Sequence, residues 1–551
     1  MPRLAAVVLQ KSHNVKMKIP KPLRNLVLIL GDQLDHESSA FADFDPKQDA
    51  VLMIEAREES THVWSHKIRT ALFLSAMRHF SQGMEERGYP VIYRQLDKEA
   101  DASLSAGLLA TIKTHAPQAV IGVEPGDLRV RAQIEDAMKS IAPPADNTPA
   151  KGSKALKISL EWRDDTHFLC DLPEFRAWAG KSTSLRMEFF YRVMRKKHHV
   201  LMEGKKGSAE PIGGQWNFDA ENRKSFGKAG PQGVPTPRQY PLDAITKDVI
   251  KMVNKEFKDH PGALDKFNWP VTRQQALQAL DDFIKLRLPS FGPHQDAMWT
   301  NLDFGWHSLL SSSINLKLLN PLEVIQAAEK CYQEGKVDLP SAEGFIRQIL
   351  GWREFMRGVY FLDMPKLKED NFYGHQNALP KWYWTGDTKM NCMKNSIDQT
   401  LKNGYSHHIQ RLMITGMFGV TAQIKPQALC DWYLAVYVDA VEWVELPNVA
   451  GMALFANGGR FTSKPYVASG AYVKRMSNYC QGCRYSPEER SGKDACPMTT
   501  LYWNFLDAHE KEFGGNPRTA LMVKNLQRMT ADERSAVRLR AKEMLSDLDA
   551  L

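Results

Sequence analysis

Two adjacent imidazoles, His407 and His408, with Arg411 one helical turn on, head the chemically densest stretch of this 551-residue chain. That stretch, Gly404 to Asn448, also holds the Trp432–Tyr433 pair and the carboxylates Asp439, Glu442 and Glu445. Cysteines flank it: Cys392 before, and Cys480, Cys483 and Cys496 after. Imidazoles titrate near neutral pH and suit proton transfer. Tryptophan and tyrosine can pass single electrons, and thiolates are soft metal ligands. The combination points to electron-transfer chemistry.

Cys480-x2-Cys483-x12-Cys496, followed at once by Pro497, is a local three-thiolate pattern. Three thiolates need a fourth ligand to close a tetrahedral or cubane site. Cys170, Cys331, Cys392 and Cys430 are the candidates. Cys392 fits best, because it lies in the polar, turn-like MNCMKN, whereas Cys331 and Cys430 read as helix positions. Spacing alone leaves zinc, an iron–sulfur cluster and unliganded thiols open. Trp382, Tyr383 and Trp384, just before Cys392, favour iron–sulfur, since redox aromatics would be idle beside redox-silent zinc. Seven cysteines, an odd number, without an export signal argue for a reducing compartment and for thiolates as ligands.

These residues need a frame, and the length allows about two to four domains. With 43% hydrophobic and 25% charged residues the composition is that of a globular protein, neither disordered nor fibrous. A net charge of +8 permits a nucleic-acid partner without demanding one. No apolar run reaches the ~18 residues that a membrane helix needs. The basic N-terminus has an apolar stretch, Leu4–Leu9, too short for a signal-peptide core, so residues 1–22 are read as a flexible leader and the chain as a cytoplasmic monomer.

Short apolar runs at Asn25–Gly31, Val51–Ile54, Val91–Arg94, Ala119–Val123 and Ile158–Leu160 suit strands buried on both faces. Helical patterns such as His66–Arg87 separate them. This alternation predicts an α/β domain over residues 23–165 with an open parallel sheet, Rossmann-like in layout. Ligands of such sheets sit beyond the carboxyl ends of the strands, where Gly31, Asp32 and Gln33 follow the first strand and Glu55 the second; turn and cap chemistry explains these residues equally. Neither GxGxxG nor GxxxxGK[ST] is present, which disfavours common nucleotide enzymes.

Ala142–Lys154 reads as a loop. Residues 166–262 form a connector in which Lys181–Lys206 interleaves Arg192 and Lys196 with aromatics, and a loop carrying Trp216, Asn217 and Arg223 follows. A basic helix feeding aromatic and amide groups suits a phosphate backbone and an unstacked base. A solvated helix and a long linker account for it as well.

Residues 263–551 read as all-α, with helices expected over Thr272–Leu286, Leu322–Tyr332, Ala342–Val359 and Trp432–Val444. Gln295 and Asp296, the run His307, Ser308, Leu309, Leu310 and Ser311, and Gln348, Trp352 and Arg353 place polar groups in otherwise apolar surroundings. Buried polar groups require partners, and a phosphorylated cofactor would supply many at once. A surface pair of Arg353 with Glu354 and serines acting as helix caps are the alternatives.

GDQL at Gly31–Leu34, FIRQILGWREFMRG at Phe345–Gly358, YWTG…MNC ending at Cys392, GYSHHIQRLMITG, YVDAVEWVELPNVAGM at Tyr437–Met452, KPYVASG at Lys464–Gly470 and the final CxxC…CP resemble the iron–sulfur bacterial cryptochromes and photolyases, the prokaryotic (6-4) branch. The resemblance runs from about Asn25 to the end. It implies an antenna domain and a helical FAD domain, with Asp439 and Asn448 joining the flavin-side residues above. It also implies a four-iron four-sulfur [4Fe-4S] cluster on Cys392, Cys480, Cys483 and Cys496, and a 6,7-dimethyl-8-ribityllumazine antenna at Gly31, Asp32, Gln33 and Glu55. The implied activity is light-driven reversal of pyrimidine (6-4) pyrimidone lesions in UV-damaged DNA by excited reduced FAD.

A lesion must be flipped out to reach such a site, and its reversal needs a proton donor, for which His408 backed by His407 is suited. Arg411 could hold an imidazole or a phosphate, and Tyr466 is placed for the flipped lesion. Trp384, Trp432 and Tyr433 are candidates for photoreduction. Glu445 stands where the wider family has an asparagine facing the flavin. A blue-light receptor that signals without repair is the competing expectation.

Overall fold

The computed structural model describes residues 17–141, 158–205 and 209–551. Most of the expected leader, the Ala142–Lys154 loop and Lys206 lie outside the described residues. The chain divides into two compact units, one through Glu59 and from Leu74 to Asp165, the other comprising Ser60–Phe73 and Thr166–Leu551. Residues 166–262, read as a connector, are counted within the second unit.

The first unit is built on strands β1 (Asn25–Ile29), β2 (Ala50–Ile54), β3 (Val91–Arg94), β4 (Ala119–Val123) and β5 (Ser159–Arg163), all parallel, in the order β3-β2-β1-β4-β5. Every residue of β2 is buried, which is why the sequence shows an unbroken apolar run rather than alternation. Helices α1 (Lys67–Glu86), α2 (Leu104–His115) and α3 (Leu128–Ile141) alternate with the strands. The core joins Leu26 and Leu28 to Leu52, Leu108, Val120 and Ile134. Since β1 lies between β2 and β4, the strand order reverses there and creates the crevice in which open sheets take ligands. Gly122 of β4 must be glycine: an added Cβ would lie 2.6 Å from the Trp162 ring.

The second unit is helical apart from a short antiparallel pair, β6 (Met202–Glu203) with β7 (Glu210–Pro211), which the sequence reading did not foresee. Its helices include α4 (Met187–His198), α5 (Pro321–Gln333), α6 (Leu339–Ile346), α7 (Glu354–Asp363), α8 (Asn391–Asn403), α9 (Pro426–Val436), α10 (Glu442–Leu446) and α11 (Pro497–Ala508). Widened π turns at Arg347–Arg353, Arg411–Gly416 and Pro447–Ala453 interrupt this helical fabric. Such turns recur at functional sites, and each of these holds a residue singled out above. No helix among the described residues is long and apolar enough to cross a membrane.

The expected continuous helix over Trp432–Val444 is broken. Helix α9 ends at Val436 and α10 begins at Glu442, although the segment between them stays largely buried. Its backbone bonds elsewhere: Val438 N–H donates to the Gly404 carbonyl at 2.9 Å, and the Ala440 carbonyl accepts from Arg69 at 3.2 Å. Burial on every side erases the periodicity that would reveal such a break. Cys392, read as lying in a turn, is instead the second residue of α8.

Candidate active site

The break between α9 and α10 delivers Asp439 to Arg411, whose Nη1 and Nη2 donate to its carboxylate at 3.0 and 3.2 Å. Ser311 Oγ donates to the same carboxylate at 2.7 Å, and Asn315 Nδ2 to the Asp439 carbonyl at 2.8 Å. Tyr437 lies under the guanidinium, 3.7 Å from Arg411 Cζ to the ring centre. Burial opposes the charge on Arg411, but Asp439, Tyr437 and Glu445 together hold its pKa above the ordinary value. Burial raises the Glu445 carboxyl to about 7, against the pull of Arg411 and with the push of Asp439.

His407 precedes the short helix His408–Gln410 and stacks on His307, with ring centres 4.4 Å apart and planes 14° from parallel. His307 Nε2 bonds the Gln295 carbonyl at 3.0 Å, which ties the 295–311 segment to the histidine pair. Burial drives His407 well below its ordinary pKa, and the neighbouring His307, His408 and Arg411 add to the effect. His408 falls to about 4 through desolvation, Arg411 and His307. By surface area the His408 ring is exposed, yet it is desolvated by the atoms around it. Both shifts run downward, away from the neutral range in which the sequence reading places imidazole titration.

The residues assigned to a flavin divide in three. Gln295, His307, Ser311 and Asp439 join the histidine–arginine cluster through the contacts above. Ser308 Oγ accepts from Leu310 N at 3.4 Å, and Leu309 takes a left-handed φ of 59°, a strained turn of the kind found where a site must be held open. Asp296 lies with Arg223, Asp219 and Arg347, and burial lifts its carboxyl to about 6. Arg353 turns elsewhere, to Phe168 at 4.1 Å, Trp443 at 5.1 Å and Glu354 at 3.1 Å. Arg353 and Glu354 are 7% and 2% exposed, so they are not a surface pair. Gln348 and Asn448 bond carbonyls of their own helical turns, and Trp352 meets Phe355 edge-on. Ser312 and Ser313 are buried hydroxyls without a hydrogen-bond partner among the described residues. These hydroxyls and the half-buried 295–311 wall fit a large hydrogen-bonding cofactor such as FAD.

Trp384 lies 6.5 Å from Trp432, which lies 5.3 Å from Tyr433. Trp432 is fully buried, and Tyr433 Oη donates to the Arg411 carbonyl at 2.6 Å. Tyr437, which the sequence reading passed over, also meets Trp432, at 5.9 Å.

Cys392, Cys480, Cys483 and Cys496 line one small cavity with Met390, Val473 and Met498. Among the described residues no group of three or more His, Cys, Asp or Glu side chains could hold a single metal ion. Four sulfurs around a shared space form a donor set that suits an iron–sulfur cluster and tetrahedral zinc alike. The remaining cysteines, 170, 331 and 430, line no part of that cavity. Bonds tie it to the histidines: His407 N–H donates to Gln410 Oε1 at 3.1 Å, Gln410 Nε2 to Tyr479 Oη at 3.0 Å, and Asn391 Nδ2 to the Tyr479 carbonyl at 2.7 Å. Asn391 and Tyr479 adjoin Cys392 and Cys480.

On α4, Arg192, Arg195 and Lys196 all face Trp216, each 5.4 Å from its ring centre. Arg195 is fully buried and bonds the Val200, Leu201 and Trp216 carbonyls, so it fixes the loop while Arg192 and Lys196 face outward. Phe189, 58% exposed, lies under Arg192. Asn217 is half-buried beside Trp216. Arg223 is exposed and pairs with Asp219 at 3.1 Å; both belong to the electrostatic surroundings of Tyr466, whose phenol is pushed up mainly by burial.

In the first unit, Gln33 Nε2 donates to the Val123 and Glu124 carbonyls at 3.2 and 3.3 Å, bridging β1 and β4 at the crevice. Gly31 and Asp32 are half-buried beside it. Glu55 is already occupied, accepting from Arg78 at 2.7 and 2.9 Å, Tyr93 Oη at 2.7 Å and Leu96 N at 2.9 Å.

Residues 27–269 match the family model described as deoxyribodipyrimidine photo-lyase-related protein. A curated protein of Agrobacterium fabrum named (6-4) photolyase is 44% identical over 529 residues, spanning 96% of this chain and all of that protein. An uncharacterized protein of Acanthamoeba polyphaga mimivirus is 33% identical over 116 residues, covering 21% of this chain and 87% of that protein. The crystal structure of a bacterial class III photolyase from Agrobacterium tumefaciens superposes with a TM-score of 0.52 at 14% identity, over 95% of this chain and 98% of that one, which establishes a shared fold. Near-full-length identity at this level places the chain in the photolyase family, with the (6-4) photolyase of Agrobacterium among its relatives.

Proposed function

We propose that the chain is a light-dependent DNA repair enzyme that reverses pyrimidine (6-4) pyrimidone photoproducts, acting in the cytoplasm on UV-damaged DNA. The observation that carries this reading is the meeting of His307, His407 and His408 with the Arg411–Asp439 pair in one site. FAD is the cofactor we assign to the helical unit, with Gln295, His307, Ser311 and Asp439 as contacts. A [4Fe-4S] cluster on the four cysteines and a ribityllumazine in the β1/β4 crevice, at Gly31, Asp32 and Gln33, complete the assignment.

When bound and photoexcited in its reduced form, FAD supplies one electron to the lesion. The protein must do the rest. Arg192 and Lys196 neutralise phosphates, which orients the duplex without reading sequence. Trp216 and Asn217 stand beside them to meet the strand from which the damaged pair is flipped, at a cost of a few kcal/mol. Tyr466, near Arg223 on the same side, positions the lesion. His408, in its doubly protonated form, would give one ring proton to the hydroxyl that must move between the two bases and be left as a neutral imidazole. His407, stacked on His307, holds the start of the turn from which His408 projects. Glu445, whose carboxyl burial raises to about 7, places an uncharged donor near Arg411 and Asp439 whenever it holds its proton.

The test is illumination of the purified protein with an oligonucleotide bearing one (6-4) lesion. Blue light should restore the bases and darkness should not. Loss of repair in His408→Ala with unchanged cofactor content supports the donor role, and unimpaired repair in that variant removes it.

A further inference from the structure

A groove of about 620 Å³ lies against the cysteine cavity and shares Cys480, Cys483 and Tyr485 with it. Its lining comes from residues 225–228, from Trp299, and from positions within 474–488. These stretches are fastened to one another. Met298 N–H donates to the Met476 carbonyl at 2.9 Å, Thr300 N–H to Asn478 Oδ1 at 2.9 Å, and Asn478 Nδ2 to Thr300 Oγ1 at 2.8 Å. Gly230, at a φ of 72°, packs on Trp299, where an added Cβ would lie 2.9 Å from the indole. Phe226 meets Trp299 edge-on at 6.2 Å and rests on His294 at 5.0 Å. The groove is therefore formed before anything enters it.

Its charge is one-sided. Lys474 pairs with Glu488, but the exposed Lys228, Arg475 and Arg484 have no carboxylate partner among the described residues. Arg484 lies 5.7 Å from the Tyr485 ring centre and Arg475 lies 5.4 Å from that of Tyr472. Three uncompensated cations beside half-buried Phe226 and Trp299 suit a ligand with both phosphates and an open aromatic face. A paired duplex offers the phosphates and hides the base faces, whereas an unpaired strand offers both. The groove also continues the surface on which Tyr466 lies. Tyr472 belongs to the helix Gly470–Met476, whose last turn lines the groove, and Arg223 acts on the phenols of both Tyr466 and Tyr472.

We propose that this groove binds an unpaired stretch of the DNA strand leading away from the flipped lesion, with a base stacked on Trp299 and phosphates held by Arg475, Arg484 and Lys228. This rests on the DNA-repair reading. Flipping a lesion out breaks the stacking and pairing around it, and a site that takes the freed strand opposes reclosure of the duplex. Stacking is available to every base, so the groove binds without sequence preference.

The test uses the holoprotein in darkness, with a short fluorescein-labelled oligothymidine and with undamaged duplexes that carry or lack a central unpaired run. Anisotropy should show wild type favouring the oligothymidine and the interrupted duplex over the paired one. Arg475→Ala with Arg484→Ala should make the oligothymidine salt slope shallower by about 1.4, and binding roughly tenfold weaker near physiological salt. Trp299→Leu should weaken the oligothymidine by about fivefold or more, sparing the paired duplex, and Trp299→Phe should recover most of the loss. An oligonucleotide carrying 5-iodouracil should cross-link to peptides containing Phe226, Trp299 or Tyr485. Wild-type affinity for the oligothymidine in both Trp299→Leu and the double arginine variant, or cross-links confined to Trp216, would overturn the proposal. Unchanged binding after Arg475→Glu with Arg484→Glu would overturn it too, and would assign the groove to an acidic protein surface instead. Groove binding as predicted, without light-driven lesion reversal, would sink the repair reading and leave the groove assignment standing.

Discussion

Replacing Glu445 by glutamine should change the pH dependence of stability in a way that can be worked out from its surroundings. Glu445 is 7% exposed, and burial lifts its carboxyl to about 7, against about 4.3 in an unfolded chain. Between these values the folded protein holds a proton that the unfolded chain has released. Stability is therefore greatest, as far as this group is concerned, below about pH 4.3, and is lost as pH rises through 7. The difference corresponds to about 3–4 kcal/mol once both states are ionised. Glutamine keeps the shape and cannot ionise, so the variant should gain on wild type by that amount between about pH 4 and pH 8.5. Urea unfolding of the cofactor-free protein across this range, followed by the fluorescence of the buried Trp432 and Trp443, measures the difference. Carboxyl-labelled NMR reads the titration of Glu445 directly. A pH-independent difference between the two proteins, or a Glu445 titration near pH 4, would refute the reasoning.

Asp439→Asn should leave Arg411 buried without its countercharge at a cost of about 3–5 kcal/mol, seen as a lower Tm and reduced flavin content on purification. His66, held near a pKa of about 4 by burial, stays neutral in the folded state, so its contribution to stability is present above pH 6.5 and is lost as pH falls towards 4; His66→Gln should flatten acid unfolding in that window. Cys392→Ser should remove iron while Cys430→Ser keeps it, as measured by metal analysis. Lys196→Ala should weaken binding to damaged and undamaged duplex alike and lower the slope of log affinity against log salt by about 1, as measured by fluorescence anisotropy.

The central strands β1, β2 and β4 were legible because each is an apolar run between turn residues, whereas the edge strand β5, SLEWR, was glimpsed only at its start; three of the π turns lay inside motifs that stood out by their polar content. The arginine's task was not legible: Arg411 was free to serve an imidazole or a phosphate until the chain break at Tyr437–Val441 delivered Asp439 to it. The break itself left no trace in the periodicity, because every side of that segment is packed. His307 and His407 lie a hundred positions apart in sequence, and no local pattern encodes their stacking. Burial separates roles that residue type cannot: it lowers the pKa of the histidine pair, packs Arg353 against Phe168, and engages Glu55 with Arg78 and Tyr93.

The central claim is that light drives reversal of a (6-4) lesion in this site. The most direct measurement is a single blue flash on the reduced protein bound to a duplex with one (6-4) lesion, followed by chromatography of the nucleosides. Restored, separate pyrimidines in the flashed sample and intact lesion in the dark control are predicted. An unchanged lesion after the flash, with DNA bound and reduced flavin present, would contradict the account.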